Sequence, residues 1–181
     1  VPLTVPGHQS QHMFVLRAAR PAAKICMILA TGTWCAYNDW GGSNHYQGLT
    51  GPRGDDFAAH VSLLRPWATG FVRWPEDAPR IPHASPLLTK PRYPHMDYAR
   101  AKGFSKKYAS SGWAAFERPF ALWCEGQGIA IDCATQHDLH RDPALLDPYD
   151  RALIVGHDEY WTWEMRDHLE GWVDRGGQLA R

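Results

Sequence analysis

Three short, mainly apolar runs divide the chain and predict buried β-strands. They are KICMILAT at 24–31, IAIDCA at 129–134 and RALIVG at 151–156. Continuous apolar runs, rather than alternating ones, are expected of strands covered on both faces of a parallel sheet. A looser alternation in HMFVLRAA predicts a further strand over 12–19, ended by Pro21.

Apolar residues at helical spacing predict three helices, over 116–125, 142–148 and 162–175. Thr162 is placed to cap the last helix, and Gly176 to end it. Helices that alternate with apolar strands predict an α/β fold, a parallel sheet flanked by helices. The predicted apolar stripes are Phe116, Phe120 and Trp123 in one helix, and Met165, Leu169, Trp172 and Val173 in another.

The segment from 38 to 112 shows no persistent helix or strand pattern. Because it is rich in aromatic rings, which disordered segments lack, we expect a long ordered loop insertion over the strand ends. Arg65-Pro66 is expected to anchor its return. Residues 1–23 are predicted to end a preceding segment as an edge strand, and 24–181 to form the α/β domain. The closing GGQLAR predicts the start of a strand, so we expect a fragment truncated at its C-terminus.

Composition excludes some partners. Lys and Arg together equal Asp and Glu, at 19 each, so no bulk charge attracts nucleic acid or a membrane surface. No apolar run reaches the ~18 residues of a membrane span. The four cysteines include no CxxC pair and predict buried free thiols in a cytoplasmic protein.

Candidate chemistry follows the predicted strands, because ligands of parallel sheets bind beyond the carboxyl ends of the strands. The three loops there are GTWCAYNDWGGSNHY at 32–46, TQHDLHRD at 135–142 and HDEYW at 157–161. A turn needs glycines and asparagines, but it does not need Tyr37 and Tyr46. We therefore expect all three loops to open on one edge and to carry side chains that bind a metal or move a proton.

His157 and Glu159 lie two residues apart just past a predicted strand end. In an extended segment their side chains would point to the same side, with Asp158 turned away. That arrangement suits a metal site or an acid–base pair. The alternative is that the two carboxylates only precede and cap the helix from 162, where the helix dipole favours them.

Other motifs give weaker evidence of function. The run HDLH at 137–140 is predicted to be a solvated loop or a cap, and RYPHMDYARAKGFSKKY a solvated loop or subunit contact. The sequence contains no HExxH zinc motif, no P-loop and no GxGxxG. A Ser or Cys nucleophile elbow is also absent, since VGHDEY occupies the place where one would be expected.

Several blocks together resemble the C-terminal catalytic domain of the N,N-dimethylformamidase large (beta) subunit family. They are GTWCAYNDWGG, NHYQG, RGDDFAAHVSLLRP, IAIDCATQHDL and IVGHDEYWTWEMRDHLEGWVDRGG. The resemblance implies a domain like the class I glutamine amidotransferases (flavodoxin-like) without their thiol. It also implies a mononuclear ferric iron, Fe(III), held by the tyrosinates of Tyr37 and Tyr46 and the carboxylate of Glu159. His157 would lie close to the metal.

The implied activity is hydrolysis of the C–N bond of a small amide, such as N,N-dimethylformamide, to formate and dimethylamine. Phenolate and carboxylate oxygens are hard ligands that suit Fe(III). Glu159 and His157 are the expected catalytic residues, with His157 moving a proton. Trp34, Trp40 and Trp161 would wall a small apolar pocket. The family further implies a small partner subunit and a homo-oligomer.

Two other functions fit the same residues. One is a zinc-dependent hydrolase that uses His157 and Glu159 with His137 or His45. The other is a non-catalytic amidotransferase-like assembly domain, in which the polar loops are only structural. Visible colour separates them, because ferric tyrosinate absorbs visible light and zinc does not.

Overall fold

The fold was analysed in a computed structural model. It describes residues 2–5, 8–47, 57–58, 60–80 and 93–181, and the side chains from residue 11 onward. The chain forms two compact units, each discontinuous in sequence. Unit 1 comprises 1–13 and 34–115, and unit 2 comprises 14–33 and 116–181. The predicted domain boundary after residue 23 stays a prediction.

The described part contains six strands, five α-helices and a short 3-10 helix at Trp40–Gly42. The strands are β1 (Pro2–Val5), β2 (His8–Gln11), β3 (Ile25–Leu29), β4 (Asp132–Thr135), β5 (Arg151–Ile154) and β6 (Gln178–Ala180). The α-helices are α1 (Thr31–Tyr37), α2 (Pro94–Lys102), α3 (Glu117–Gly126), α4 (Gln136–Arg141) and α5 (Trp163–Asp174).

Unit 2 contains a four-stranded, all-parallel sheet in the order β4-β3-β5-β6. Met27 of β3 is in register with Cys133 of β4 on one side and Leu153 of β5 on the other. The three apolar runs are therefore neighbouring parallel strands, which confirms the α/β prediction. The strand expected in the closing GGQLAR is also confirmed, as β6.

The core of unit 2 lies between the sheet and helices α4 and α5. Met165, Leu169 and Trp172 of α5 are buried as predicted, whereas Val173 is 38% exposed. The Thr162 hydroxyl accepts a hydrogen bond from the Met165 N–H (3.2 Å), so the predicted cap of α5 is confirmed.

The helix predicted at 142–148 is wrong, because that segment forms turns. The helix lies just before it, as α4, over the HDLH run that was expected to be a solvated loop or a cap. Thr135 and Asp138 form a reciprocal capping box that starts α4. Asp142 precedes Pro143 and has the extended backbone that proline imposes on its predecessor, which ends the helix.

Helix α3 matches the prediction in position but not in orientation. Trp123, assigned to the apolar stripe, is 54% exposed, while Glu117 and Cys124 are buried. The Glu117 carboxylate accepts a hydrogen bond from the N–H of Ala30, just past β3 (3.4 Å). Because Glu117 and Cys124 are seven residues apart and share a helical face, this bond turns that face inward.

The strand predicted at 12–19, a segment that begins in unit 1 and continues into unit 2 along the chain, is wrong. The antiparallel hairpin of β1 and β2 ends at Gln11, and the chain continues irregularly. Alternate residues Phe14 and Leu16 are exposed, so no buried face selects a strand there.

The segment 38–112 contains a helix that the apolar pattern did not reveal. Helix α2 begins with Pro94 and ends at Gly103 in the left-handed conformation, the usual residue types at those ends. The unit 1 core includes Trp74 and Tyr108. Predicted order at 48–56, 59 and 81–92 lies outside the described residues, and placement over the strand ends stays a prediction. No described helix is long and apolar enough to cross a membrane.

We expect Gly156→Ala to destabilise the protein. Gly156 has φ +83°, and an added Cβ would lie 2.3 Å from the Cβ of Phe116. Left-handed strain and overpacking together predict a loss of roughly 2–4 kcal/mol in the free energy of unfolding, measured by chemical denaturation. The control is Gly126→Ala, whose added Cβ would meet no other atom of the described residues within 4 Å. Equal stability of the two variants would contradict the prediction.

Candidate functional site

Two tyrosines of unit 1 bring their hydroxyl groups together. Tyr37 is the last residue of α1, and the Tyr46 hydroxyl donates to the Tyr37 hydroxyl oxygen at 3.2 Å. Their ring centroids are 4.9 Å apart. The turn that carries Tyr46 is held by the buried Asn44, whose side-chain oxygen accepts from the Tyr46 N–H (2.9 Å). The His45 N–H donates to Ala36 of α1 (2.9 Å), so the turn is tied directly to the helix.

Asn38 organises the chain where it leaves α1. Its side chain is 1% exposed and hydrogen-bonds three backbone groups. The amide nitrogen donates to the carbonyl of Pro66 (3.0 Å), and the amide oxygen accepts from the N–H groups of Trp40 (3.2 Å) and Ala68 (3.0 Å). Buried backbone groups of an irregular segment need such partners, which explains why an asparagine occupies this position.

Arg65 closes the same segment from its other end. The guanidinium donates to the carbonyls of Asn38 (2.8 Å), Trp40 (3.2 Å) and Ser43 (3.0 Å). Together with the Pro66 carbonyl bonded to Asn38, these contacts confirm that Arg65-Pro66 anchors the return of the loop.

A cation and two further rings surround the tyrosine pair. The Lys107 ammonium lies 5.1 Å from the Tyr37 ring centroid and 5.8 Å from that of Tyr46, within cation–π range. The rings of His45 and Phe57 contact Tyr46 at centroid distances of 5.5 and 5.9 Å. Sequence reasoning missed Lys107, since its only signal was a local basic run that was interpreted as a solvated loop or subunit contact.

In unit 2, His157 and Glu159 meet as their spacing predicted. The His157 Nε2 lies 3.0 Å from the Glu159 carboxylate, and both side chains are partly exposed. Asp158 between them is 5% exposed and points the other way. Thr162 caps α5, so the two carboxylates precede the helix, as the alternative had it, but do not form its cap.

The buried Asp158 carboxylate has partners that the sequence did not suggest. Its Oδ1 accepts from the Gln136 amide (2.8 Å) and from the Trp161 indole N–H (2.9 Å). Burial raises the pKa of the Asp158 carboxyl, and these hydrogen bonds oppose the rise. Gln136 itself is 1% exposed and opens α4.

The three segments predicted as loops after β3, β4 and β5 meet at one edge of the sheet, as predicted, although the first two begin as helices α1 and α4. Gln136, after β4, accepts from the N–H of Gly32, after β3 (2.8 Å), and donates to the carbonyl of Tyr160, after β5 (3.0 Å). The parallel register explains the meeting, because the carboxyl ends of all three strands lie side by side.

The predicted pocket walls differ in character. Trp34 is buried in unit 1, with an edge-on contact to Trp67 at 5.9 Å, and Trp40 is 44% exposed. Trp161 packs on the unit 2 core and lines a cavity of about 580 Å³ beside Leu169 of α5. A shared apolar pocket stays a prediction.

Of the zinc candidates, His137 lies on α4, where burial lowers its pKa, and the Nδ1 of His45 lies 3.0 Å from the carbonyl of Ala58. Across the described ranges, no three His, Cys, Asp or Glu side chains gather in a way that could hold a metal ion.

The structure therefore forms two pairs among the predicted site residues. Tyr37 pairs with Tyr46 in unit 1, and His157 with Glu159 in unit 2. Convergence of these residues on one ion stays a prediction.

A comparison with known protein families covers the residues of both pairs. A sequence profile described as "N,N-dimethylformamidase beta subunit-like, C-terminal" matches residues 3–181. The chain belongs to this family. A comparison with curated proteins gives no match. The family name denotes one subunit of an amidase-type hydrolase and suggests a dimethylformamidase-related function. The resemblance in the quoted motifs is confirmed.

Asn38→Leu should destabilise unit 1 and disturb the tyrosine pair. The change leaves three backbone groups without their partner, and we expect a loss of roughly 2–4 kcal/mol in the free energy of unfolding. Chemical denaturation and near-ultraviolet circular dichroism would measure both effects. Gln127→Leu, at an exposed amide, is the control. A stability equal to that of the control would show that the Asn38 bonds contribute nothing.

Proposed function

We propose that this domain belongs to an iron-dependent amidohydrolase that cleaves the C–N bond of a small amide, such as N,N-dimethylformamide, to formate and dimethylamine. The observation that carries the proposal is the tyrosine pair. Two phenol oxygens lie 3.2 Å apart at the end of α1, in a chain whose family is named for such an amidase.

The donor atoms fit the ion. Oxygens bound to one hard cation at about 2.0 Å lie no more than about 4 Å apart, and the Tyr37 and Tyr46 oxygens satisfy this limit at 3.2 Å. Phenolates are hard anionic ligands, which favours Fe(III) over softer metals. Glu159 would supply the third ligand, and its partly exposed carboxylate is accessible for that role.

The bound ion would polarise the amide carbonyl and acidify water. His157 takes a proton from the attacking water and later delivers it to the departing amine. Its contact with Glu159, at 3.0 Å, orients the imidazole for that transfer. Hydrolysis by this route requires no serine or cysteine nucleophile.

The order of the strands supports a flavodoxin-like domain of the glutamine amidotransferase type. Renumbered from β3, the parallel strands run 2-1-3-4, the start of the flavodoxin-like order 2-1-3-4-5. Ligands of that fold bind where the order switches, between its first and third strands. Here those strands are β3 and β5, and the loops after them carry Thr33 and Glu159.

The proposal also covers the cellular location and the subunit assembly of the enzyme. The proposed location is the cytoplasm. Burial raises the pKa of the Cys26 thiol to about 12 and suppresses its reactivity. The family name refers to a beta subunit, which supports assembly with a partner subunit. The small size of that partner and a homo-oligomer are further parts of the proposal.

Tyr37→Phe and Tyr46→Phe should each remove visible absorbance and bound iron from the purified protein. Each change deletes one phenolate ligand and preserves the ring. Tyr98→Phe is the matched control, because the Tyr98 hydroxyl bonds Asp77 at 3.0 Å, apart from the pair. Metal analysis and a visible spectrum provide the measurement. A colourless wild-type protein that contains zinc would favour the zinc hydrolase, and one that takes up no metal would favour the assembly domain.

Glu159→Ala should abolish iron binding and activity, because it removes an anionic ligand. His157→Ala should keep much of the iron but slow turnover by ~10²–10⁴-fold, the usual contribution of a general base. Iron content and amide hydrolysis would be measured on the complete enzyme with any partner subunit, with the exposed Glu170→Ala as control. Equal iron loss in both variants would make His157 a ligand, and unchanged turnover in His157→Ala would end its assignment as base.

A further inference from the structure

The buried Gln136 uses its whole amide to join three loops. The oxygen accepts from Gly32, and the nitrogen donates to the Asp158 carboxylate and the Tyr160 carbonyl. The orientation of the amide is fixed by chemistry, since a backbone N–H can only donate and a carbonyl can only accept. A Cβ at Gly32 would lie 3.0 Å from the Gln136 oxygen, so close approach of the backbone is part of this arrangement.

Thr33 contacts the same loop from α1. Its hydroxyl oxygen, on a side chain with 0% exposure, accepts from the N–H of Glu159 at 2.8 Å and from that of Tyr160 at 3.4 Å. Thr33 therefore holds the Glu159 backbone by a hydrogen bond, and Gln136 holds the two adjacent residues, Asp158 and Tyr160. The Glu159 side chain remains partly exposed.

Thr31 provides an internal comparison. It is also a buried threonine at the start of α1, 7% exposed, but its hydroxyl has no hydrogen-bond partner among the residues that the structure describes. The two residues share side-chain chemistry, helix and burial. They differ in that Thr33 contacts the Glu159 loop.

We infer that Thr33 and Gln136 are positioning residues that fix the direction of the Glu159 carboxylate for ion binding. The inference rests on the proposed function, in which Glu159 is a ligand. A rigid backbone fixes the Cα–Cβ direction, and ligand atoms must be held to about 0.5 Å for a productive site. Residues that orient a ligand in this way typically affect metal affinity by about 10–100-fold when they are lost.

The test compares three threonine variants of the complete enzyme. Thr33→Val removes the acceptor and keeps the shape, Thr33→Ser keeps the hydroxyl, and Thr31→Val is the matched control. We expect Thr33→Val to weaken ferric iron binding by about 10–100-fold. Thr33→Ser and Thr31→Val should retain wild-type affinity.

A second measurement needs no metal. Amide hydrogen exchange at Glu159 and Tyr160 should accelerate in Thr33→Val, because the tether is lost, while exchange in α5 stays unchanged. Gln136→Met removes the tether from the opposite side, and it tests the same loop if Thr33→Val does not fold.

The outcomes separate the inference from the proposed function. Unchanged exchange at Glu159 in Thr33→Val, or an equal loss of iron in Thr31→Val, would overturn the inference. A wild-type enzyme that binds no ferric iron would overturn the proposed function, whereas the exchange result would still decide whether the tether exists.

Discussion

One buried amide determines how the edge of the sheet is built. The loops after three parallel strands carry backbone groups that no strand or helix pairs, and burial makes unpaired groups costly. Through three hydrogen bonds of its side-chain amide, Gln136 satisfies the N–H of Gly32, the carbonyl of Tyr160 and the carboxylate of Asp158. The close approach at Gly32, the inward turn of Asp158 and the exposed position of Glu159 all follow from this amide.

Unit 1 solves the same problem with a different residue. Asn38 supplies the buried amide there, and Arg65 adds three donors for carbonyls that would otherwise be unpaired. A fixed loop brings Tyr46 to Tyr37, although neither tyrosine belongs to a strand. In both units a buried amide, Asn38 or Gln136, positions the predicted site residues without a predicted catalytic role.

The apolar pattern predicted the sheet because strands covered on both faces leave a continuous signal. His157 and Glu159 were predictable for a related reason, since alternation in an extended segment depends only on spacing. Gln136 was not predictable, because its role depends on partners up to 104 residues away in sequence. The orientation of α3 was not predictable either, because the buried face carries Glu117, whose carboxylate accepts a hydrogen bond from the distant Ala30 N–H.

Alternation also explains how one short loop serves both structure and chemistry. Asp158 is turned into the protein, where Gln136 and Trp161 hold it, and this forces its neighbours outward. His157 and Glu159 are then partly exposed, 3.0 Å apart, on a backbone that cannot rotate freely. If the backbone at Glu159 were not held in this way, the direction of the Glu159 carboxylate would not be fixed. The inward position of Asp158 and the outward position of His157 and Glu159 are therefore two results of the same backbone alternation.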